Sequence, residues 1–241
     1  KKAAAFASSV ISVTNGNSYL RKADPMTVIG SAMVAATLDL PVVPSLGLAY
    51  IVPYKSKDAK GNYIDQAQFQ IGYKGLIELA ERSGQFRTII DEVVYEGQLI
   101  SKNRFTGEYV FDEDAKTSDK VIGYMAHIEL LNGFKKTSYW TVEEIEAHAK
   151  QYSKSYKSGP WQTNRDAMAK KTVLKQLIAK YAPKSTTMQQ AISYDQAVIT
   201  PQDNDTDIDL IVDYADNPVV DAEATEINEQ DINPAQDLFN Q

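Results

Sequence analysis

Read from the N-terminus, the chain alternates between helical and strand spacing of its apolar residues. Residues 1–22 mix small and polar types with little periodicity, which predicts a flexible arm or an oligomer contact. Asp24-Pro25 then opens a helix. Aspartate suits the N-cap, and proline suits the first helical position because its missing N–H would have no partner there. The Ala- and Met-rich run from Met26 to Leu38 continues that helix until Pro41 prevents it. Two β runs follow, Leu46–Tyr54 and Gln66–Ile71, separated by the polar turn Lys55–Asn62. Ala67, Phe69 and Ile71 alternate with Gln66, Gln68 and Gln70, the period-2 pattern of a half-buried hairpin strand.

A short helix is predicted over Tyr73–Ser83. Tyr73, Leu76, Ile77 and Ala80 share one face, Glu78 and Arg82 pair on the other, and Ser83-Gly84 stops it. Four β runs come next: Phe86–Tyr95, Arg104–Phe111, Val121–Leu131 and Lys135–Trp140, with Leu131-Asn132-Gly133 as a short-hairpin turn. Thr141 and Glu144 spell a capping box that opens a helix to about Tyr152. Ser153–Pro160 reads as a polar loop. Asn164–Tyr181 is the last strong helix, with an apolar arc of Ala167, Leu174, Leu177, Ile178 and Tyr181, closed by Pro183. A weak helix is expected within Thr186–Val198. The pattern is α+β: a small antiparallel sheet with its hairpin packed on helices.

Charge sharpens this outline. The net charge of −7 over 241 residues would argue against a nucleic-acid partner, but it is unevenly placed. All 25 Lys and Arg lie at or before Lys184, and residues 1–200 hold 20 of the 32 acids; residues 201–241 hold the other 12 acids and no base. The body is therefore mildly basic and the tail strongly acidic. The tail composition predicts disorder from Pro201 onward, with Asp237-Leu238-Phe239 in the form of a docking peptide. Within residues 148–184, Lys150, Lys154, Lys157, Arg165, Lys170, Lys171, Lys175, Lys180 and Lys184 face Asp166 alone.

Much chemistry is absent. There is no cysteine and only His127 and His148, so disulfides, thiol catalysis and a multi-histidine metal site are excluded. No GxxxxGK[ST] run offers a phosphate loop, and no nucleophile elbow is present. His127-Ile128-Glu129 imitates part of a zinc-deaminase signature whose cysteine pair cannot exist here; sharing a strand face explains it better. Asp112-Glu113-Asp114 reads as an acidic turn rather than a nuclease centre. No apolar run is long enough for a membrane span, and no export signal is recognised. The expectation is a protein that is not an enzyme, needs no ATP or other cofactor, and works away from membranes.

The informative stretch runs from Lys150 to Arg165, where bases alternate with Tyr152, Tyr156 and Trp161. Cations for phosphates and flat faces for exposed bases are what single strands require. Trp161 reads equally as a ring that anchors this loop in the core. On the following helix Asn164, Met168, Lys171 and Lys175 form one stripe beside the apolar arc, and Lys170 falls within the arc, where it must snorkel or face a polar cleft. That placement suits the wall of a groove. Lys74, Arg82, Arg87, Arg104, Lys135 and Lys136 are weaker additions. The candidate DNA-binding set is Lys74, Arg87, Arg104, Lys154, Lys157, Trp161, Asn164, Arg165, Lys170, Lys171 and Lys175.

At these residues the sequence resembles the RecT family of bacteriophage single-strand annealing proteins. The matching segments are Tyr73–Gly84, Asp91–Gly97, and Gly159-Pro160-Trp161 through Met168–Thr172, in family order and together with the Asp24-Pro25 helix. The resemblance implies an ATP-independent protein that coats single-stranded DNA and pairs it with its complement. It further implies rings or helical filaments, a Rad52-like annealing core, and a phage exonuclease as a working partner in the cytoplasm of the bacterial host. Pro160-Trp161 and the helix carrying Arg165, Lys170 and Lys171 match the family's DNA-contact region. The expected organisation is an arm or oligomer contact over 1–23, an annealing core over 24–184, a weak helix or linker over 185–200, and an acidic tail over 201–241. The tail itself lies outside the resemblance and has three readings: a solubilising segment, a competitor of DNA for the groove through its charge, or a docking segment whose Leu238-Phe239 end meets the exonuclease or a host single-strand-binding protein. The alternative function is a passive protector of single strands; a phage structural protein that meets nucleic acid incidentally is a third reading.

Overall fold

The computed structural model describes residues 2–214, apart from Asp58, Ala59, Gly61, Arg104, Lys154, Ser155, Ser158, Gly159, Lys184, Asp205 and Thr206. In chain order the elements are α1 (Lys2–Gly16), a 3-10 turn (Leu20–Lys22), α2 (Pro25–Thr37), β1 (Ala49–Lys57), β2 (Tyr63–Ile71) and α3 (Tyr73–Arg82). Then follow β3 (Phe86–Tyr95), β4 (Leu99–Asn103), β5 (Glu108–Phe111), β6 (Val121–Leu130) and β7 (Lys135–Thr141). The chain continues with α4 (Val142–Tyr152), α5 (Pro160–Thr163), α6 (Arg165–Tyr181), α7 (Thr186–Tyr194), β8 (Ala197–Asn204) and β9 (Asp207–Tyr214). The fold is α+β, and its antiparallel strands form three sheets, ordered β1-β2-β8-β9, β3-β6-β7 and β4-β5.

Local chemistry accounts for the helix boundaries. The Asp24 carboxylate accepts the Met26 N–H at 2.9 Å, with Pro25 in the first position of α2. At α4 the Thr141 hydroxyl accepts the Glu144 N–H while the Glu144 carboxylate accepts the Thr141 N–H, closing the capping box. Glu78 and Arg82 pair at 2.9 Å on the outer face of α3. The β1–β2 ladder runs from Ala49↔Ile71 to Lys57↔Tyr63, so the strands extend into the stretch predicted as a turn.

One continuous core spans two layers. α2 packs across β2 and β8, burying Val34 and Ala35 near Phe69 and Ile199, and α6 packs across β6, β7 and β3 through Ala169, Val173, Leu174, Leu177 and Ile178. Each large aliphatic side chain so buried contributes about 1.5–3 kcal/mol. Thr27 stitches α2 to the sheet: its hydroxyl donates to the Asp24 carbonyl at 2.7 Å and accepts the buried Ala67 N–H at 2.8 Å. Gly30 brings α2 so close to β8 that a Cβ there would overlap the Ile199 carbonyl oxygen.

Four expectations need correction. Lys2–Gly16 is helical rather than an irregular arm, with Phe6, Val10 and Val13 packed against the core and Leu20 buried just beyond. Its many small residues weakened the periodic signal. The buried arc of α6 takes in Ala169 and Val173 and leaves Ala167 and Tyr181 exposed, because alanine carries too little hydrophobic signal to fix the arc's edge. β4, which opens the hairpin with β5, was not anticipated. Finally, order does not stop at Pro201. The helix expected within Thr186–Val198 ends at Tyr194, and β8 pairs with β9 as far as Ala197↔Tyr214. The acidic average hid a local alternation in which Asp207, Asp209 and Asp213 interleave with Ile208, Leu210 and Val212. Residues 215–241, with Asp237, Leu238 and Phe239, lie outside the described residues.

Gly30→Ala should destabilise the fold by about 1–3 kcal/mol through forced separation of α2 and β8. Urea unfolding checks this, and an unchanged midpoint would show that the close approach is not required.

Candidate nucleic-acid interface

α6 is the element that organises the site. With its core face turned to the sheet, the stripe Met168–Lys171–Lys175 lies along a cleft whose other walls are His148 and Tyr152 of α4, Trp161 of α5, and Asp195 and Gln196 between α7 and β8. His148 and Tyr152 stand four residues apart on one face of α4, with ring centroids 4.6 Å apart; Trp140 meets His148 edge-on at 5.3 Å. Burial holds the His148 imidazole below its ordinary pKa, and the nearby Lys175 ammonium adds to the effect.

At the floor of the cleft lies an ionic knot. The Lys171 ammonium donates to the Ile71 carbonyl, and the Ile71 N–H donates to the Asp195 carboxylate at 2.9 Å. Lys175 pairs with the same carboxylate. The last residue of β2 is thus held through both its N–H and its carbonyl, and the chain after α7 is fixed where β8 begins. Burial alone would push the Asp195 carboxyl up, but the two ammonium groups, the hydrogen bond from Lys175 and the Ile71 N–H together hold it below the usual carboxylate range. Burial and the Lys175 charge depress Lys171, against the opposing pull of Asp195. Two ammonium groups against one carboxylate leave this floor with a net positive charge.

The candidate residues fall into distinct groups. Trp161, Lys171 and Lys175 meet at the cleft. Trp161, however, is only 6% exposed, its ring 6.4 Å from that of Tyr156, so the indole is packed into the core rather than presented as an open stacking face. Asn164 and Arg165 lie exposed at the start of α6, although Arg165 pairs with Glu146. Lys157 is exposed in the turn before α5, a turn tied by the Gln162 amide to the Tyr156 carbonyl at 2.7 Å. Lys170 neither snorkels free nor faces the cleft. It reaches Asp91 at 3.2 Å and Glu92 at 3.7 Å, and Asp91 also accepts the Tyr73 hydroxyl. That carboxylate and burial push the Tyr73 phenol well above its ordinary value, burial being the larger cause. Lys170 therefore locks α6 to β3.

Lys74 and Arg87 do not line the cleft; Lys74 is exposed on α3, and Arg87 pairs with Glu129 at 3.1 Å. Arg104 and Lys154 lie outside the described residues. His127 bonds Thr137 on the neighbouring strand at 2.9 Å, and among the described residues no group of three His, Cys, Asp or Glu could hold a metal ion. Sequence reasoning missed His148, Asp195 and Gln196. The spacing of His148 and Tyr152 could have revealed their shared face, but Asp195 is separated from Lys175 by 20 residues and from Ile71 by 124, with no periodic signal to join them.

Fold and cleft together define an α+β protein with a basic, ring-walled groove built on one long helix. The RecT family model matches residues 4–210. The chain is 43% identical over 237 residues to the uncharacterized protein YqaK of Bacillus subtilis (strain 168), covering 98% of this chain and 78% of that protein. It is 32% identical over 178 residues to protein RecT of Escherichia coli (strain K12), covering 73% of this chain and 65% of that one. The chain belongs to the RecT family, whose members act in DNA recombination and single-strand annealing. Among the described residues no helix is long and apolar enough to cross a membrane.

The ionic knot makes two predictions about stability. Asp195→Ala should cost about 3–5 kcal/mol, because it strands the buried ammonium groups. Since the folded carboxyl titrates below its unfolded value of about 3.9, its stabilisation is complete above that pH and declines as pH falls through it toward the folded value. Acid unfolding followed by circular dichroism should therefore begin at higher pH in a Lys175→Met variant. Coincident acid transitions for variant and parent would contradict the assignment.

Proposed function

We propose that this chain binds single-stranded DNA along the α6 cleft and pairs it with a complementary strand without ATP. The observation that carries this reading is the conjunction, in a RecT-family chain, of a cleft floor where the Lys171 and Lys175 ammonium groups outnumber the Asp195 carboxylate with the rings of His148 and Tyr152 in its wall. Of the exposed groups before and at the start of α6, Lys157 meets phosphate directly, Asn164 by its amide and Arg165 by exchanging Glu146 for it, and Tyr152, which is 42% exposed, offers a ring at the rim. Phosphate contacts carry no sequence information, so one site serves any strand and leaves base edges available for pairing. Pairing then contributes on the order of 1.4 kcal/mol per stacked step, enough to drive the reaction without nucleotide hydrolysis.

Weak contacts per protomer suit an assembly, a ring or helical filament, in which successive clefts hold one strand. The working partners are a phage exonuclease that exposes the strand and a host single-strand-binding protein, in the cytoplasm of the bacterial host, with the acidic residues beyond Tyr214 as the docking segment. Lys170 enters as a positioning residue: its pairing with Asp91 sets the angle of α6, so its removal acts on stability before it acts on DNA.

Two complementary strands mixed with the full chain in the absence of ATP should pair faster than alone, whereas a passive protector would slow them. In a titration against salt, Lys157→Gln with Arg165→Gln should weaken single-strand binding for all sequences alike and reduce the slope of log K on log salt by about 0.7 per lost contact. Equal affinity for duplex and single strand, with an unchanged slope, would refute the proposal.

A further inference from the structure

Away from the cleft, a second group of cations is held in a different way. The β4–β5 hairpin folds against β7, the edge strand of its sheet, through Tyr109 and Phe111, whose ring centroids each lie 6.0 Å from that of Tyr139. The hairpin turn is fixed by Asn103, whose side-chain oxygen accepts the N–H groups of Phe105 at 3.1 Å and Thr106 at 3.3 Å, and by Gly107 with φ +71°. Phe105 is held at the tip, 92% exposed. The Lys136 ammonium lies against Gly107, whose positive φ is what favours glycine at the tip.

Three lysines surround this hairpin on aromatic rings. The ammonium groups of Lys136 and Lys180 each lie 5.3 Å from the centroid of Tyr181, and Lys102 lies 5.6 Å from that of Tyr139. Among the described residues none of the three enters an ion pair, in contrast to Lys170, Lys175 and Arg165. Glu108 accepts the Thr106 hydroxyl and Glu144 caps α4, and neither these acids nor Glu143 pairs with the three lysines, although each keeps its own charge. A ring orients a cation without cancelling its charge, so these lysines keep their full attraction for an anion. A helix C-terminus favours a cation at Lys180, but that effect does not reach Lys102 or Lys136, which lie on strands.

We propose that the β4–β5 tip, the start of β7 and the end of α6 form a second polynucleotide site, which takes the incoming single strand while the cleft holds the first. The assignment rests on the annealing reading above and adds to it a place for the complement. Phosphates meet Lys102, Lys136 and Lys180, and an unpaired base stacks on Phe105. Tyr181 follows Lys175 by six residues, about 9 Å along the α6 axis and roughly 120° around it. One helix therefore carries both sites on different sides, close enough for two strands to test their pairing.

The full chain, loaded with one labelled strand, is mixed with the complement. Pairing is followed by energy transfer and retention of the first strand by anisotropy. A Lys102→Gln, Lys136→Gln, Lys180→Gln triple variant and a separate Phe105→Ser variant are compared with Lys→Arg and Phe105→Tyr controls, all checked for parental thermal unfolding. The triple and Phe105→Ser variants should keep first-strand affinity within about twofold while pairing slows by about tenfold or more. In the triple variant the salt slope of capture should also fall by about 2. The controls should pair at the parental rate. A folded variant that pairs at the parental rate, or one that loses first-strand affinity in proportion, would overturn the second site. A parental chain that fails to accelerate pairing would overturn the annealing reading itself, which separates the two failures.

Discussion

Three segments far apart in the chain meet at Ile71, and the ionic contacts around its N–H and carbonyl determine where α6 sits. Lys171 holds the carbonyl, Asp195 the N–H, and Lys175 the carboxylate of Asp195. Ionic groups taken out of water repay their desolvation only when every lone pair and proton finds a partner. Here the partners are the end of β2 and the residue that leads into β8, so satisfying the charges also fixes the join between the β1-β2-β8-β9 sheet and the helical layer. A second buried contact, Lys170 to Asp91 with Tyr73, fixes the same helix against β3. These two anchors tie α6 to both sheets, and the cleft runs along the helix between them.

This arrangement divides the basic residues by role. Cations that face a carboxylate serve the fold: Lys170 and Lys175 are the deeper examples, and Arg87 and Lys135, both on Glu129, are surface ones. Such pairs at the surface contribute little to stability, but they do neutralise charge that a polyanion would otherwise feel. Cations that rest on rings, or stand exposed like Lys157, keep that charge available. Counting lysines along a segment therefore overstates the electrostatic attraction of α6 and understates that of the β4–β5 face.

A protein that pairs strands without hydrolysing nucleotide has to leave base edges open while holding two polyanions close together. Contacts confined to phosphate and to the faces of rings meet the first condition. The second favours cations on more than one side of a stiff element, and α6, anchored at its core face, has the required rigidity.

Sequence alone determined most of the local architecture, because capping and periodicity are local interactions. Asp24-Pro25, the Thr141–Glu144 box, the alternation of Gln66–Ile71 and the limits of β3 all follow from neighbours a few residues apart. The Met168–Lys171–Lys175 stripe was equally legible as the wall of a groove. Whether a given lysine is neutralised was not, since Asp91 lies 79 residues before Lys170 and Ile71 lies 100 before Lys171. The same distance effect decided for the core between the two equal readings of Trp161, and it paired the first part of the acidic stretch, as far as Tyr214, into strands. Backbone preference acts over a turn of helix or a pair of strands; the partner of a buried charge is chosen by whichever distant segment the core brings beside it.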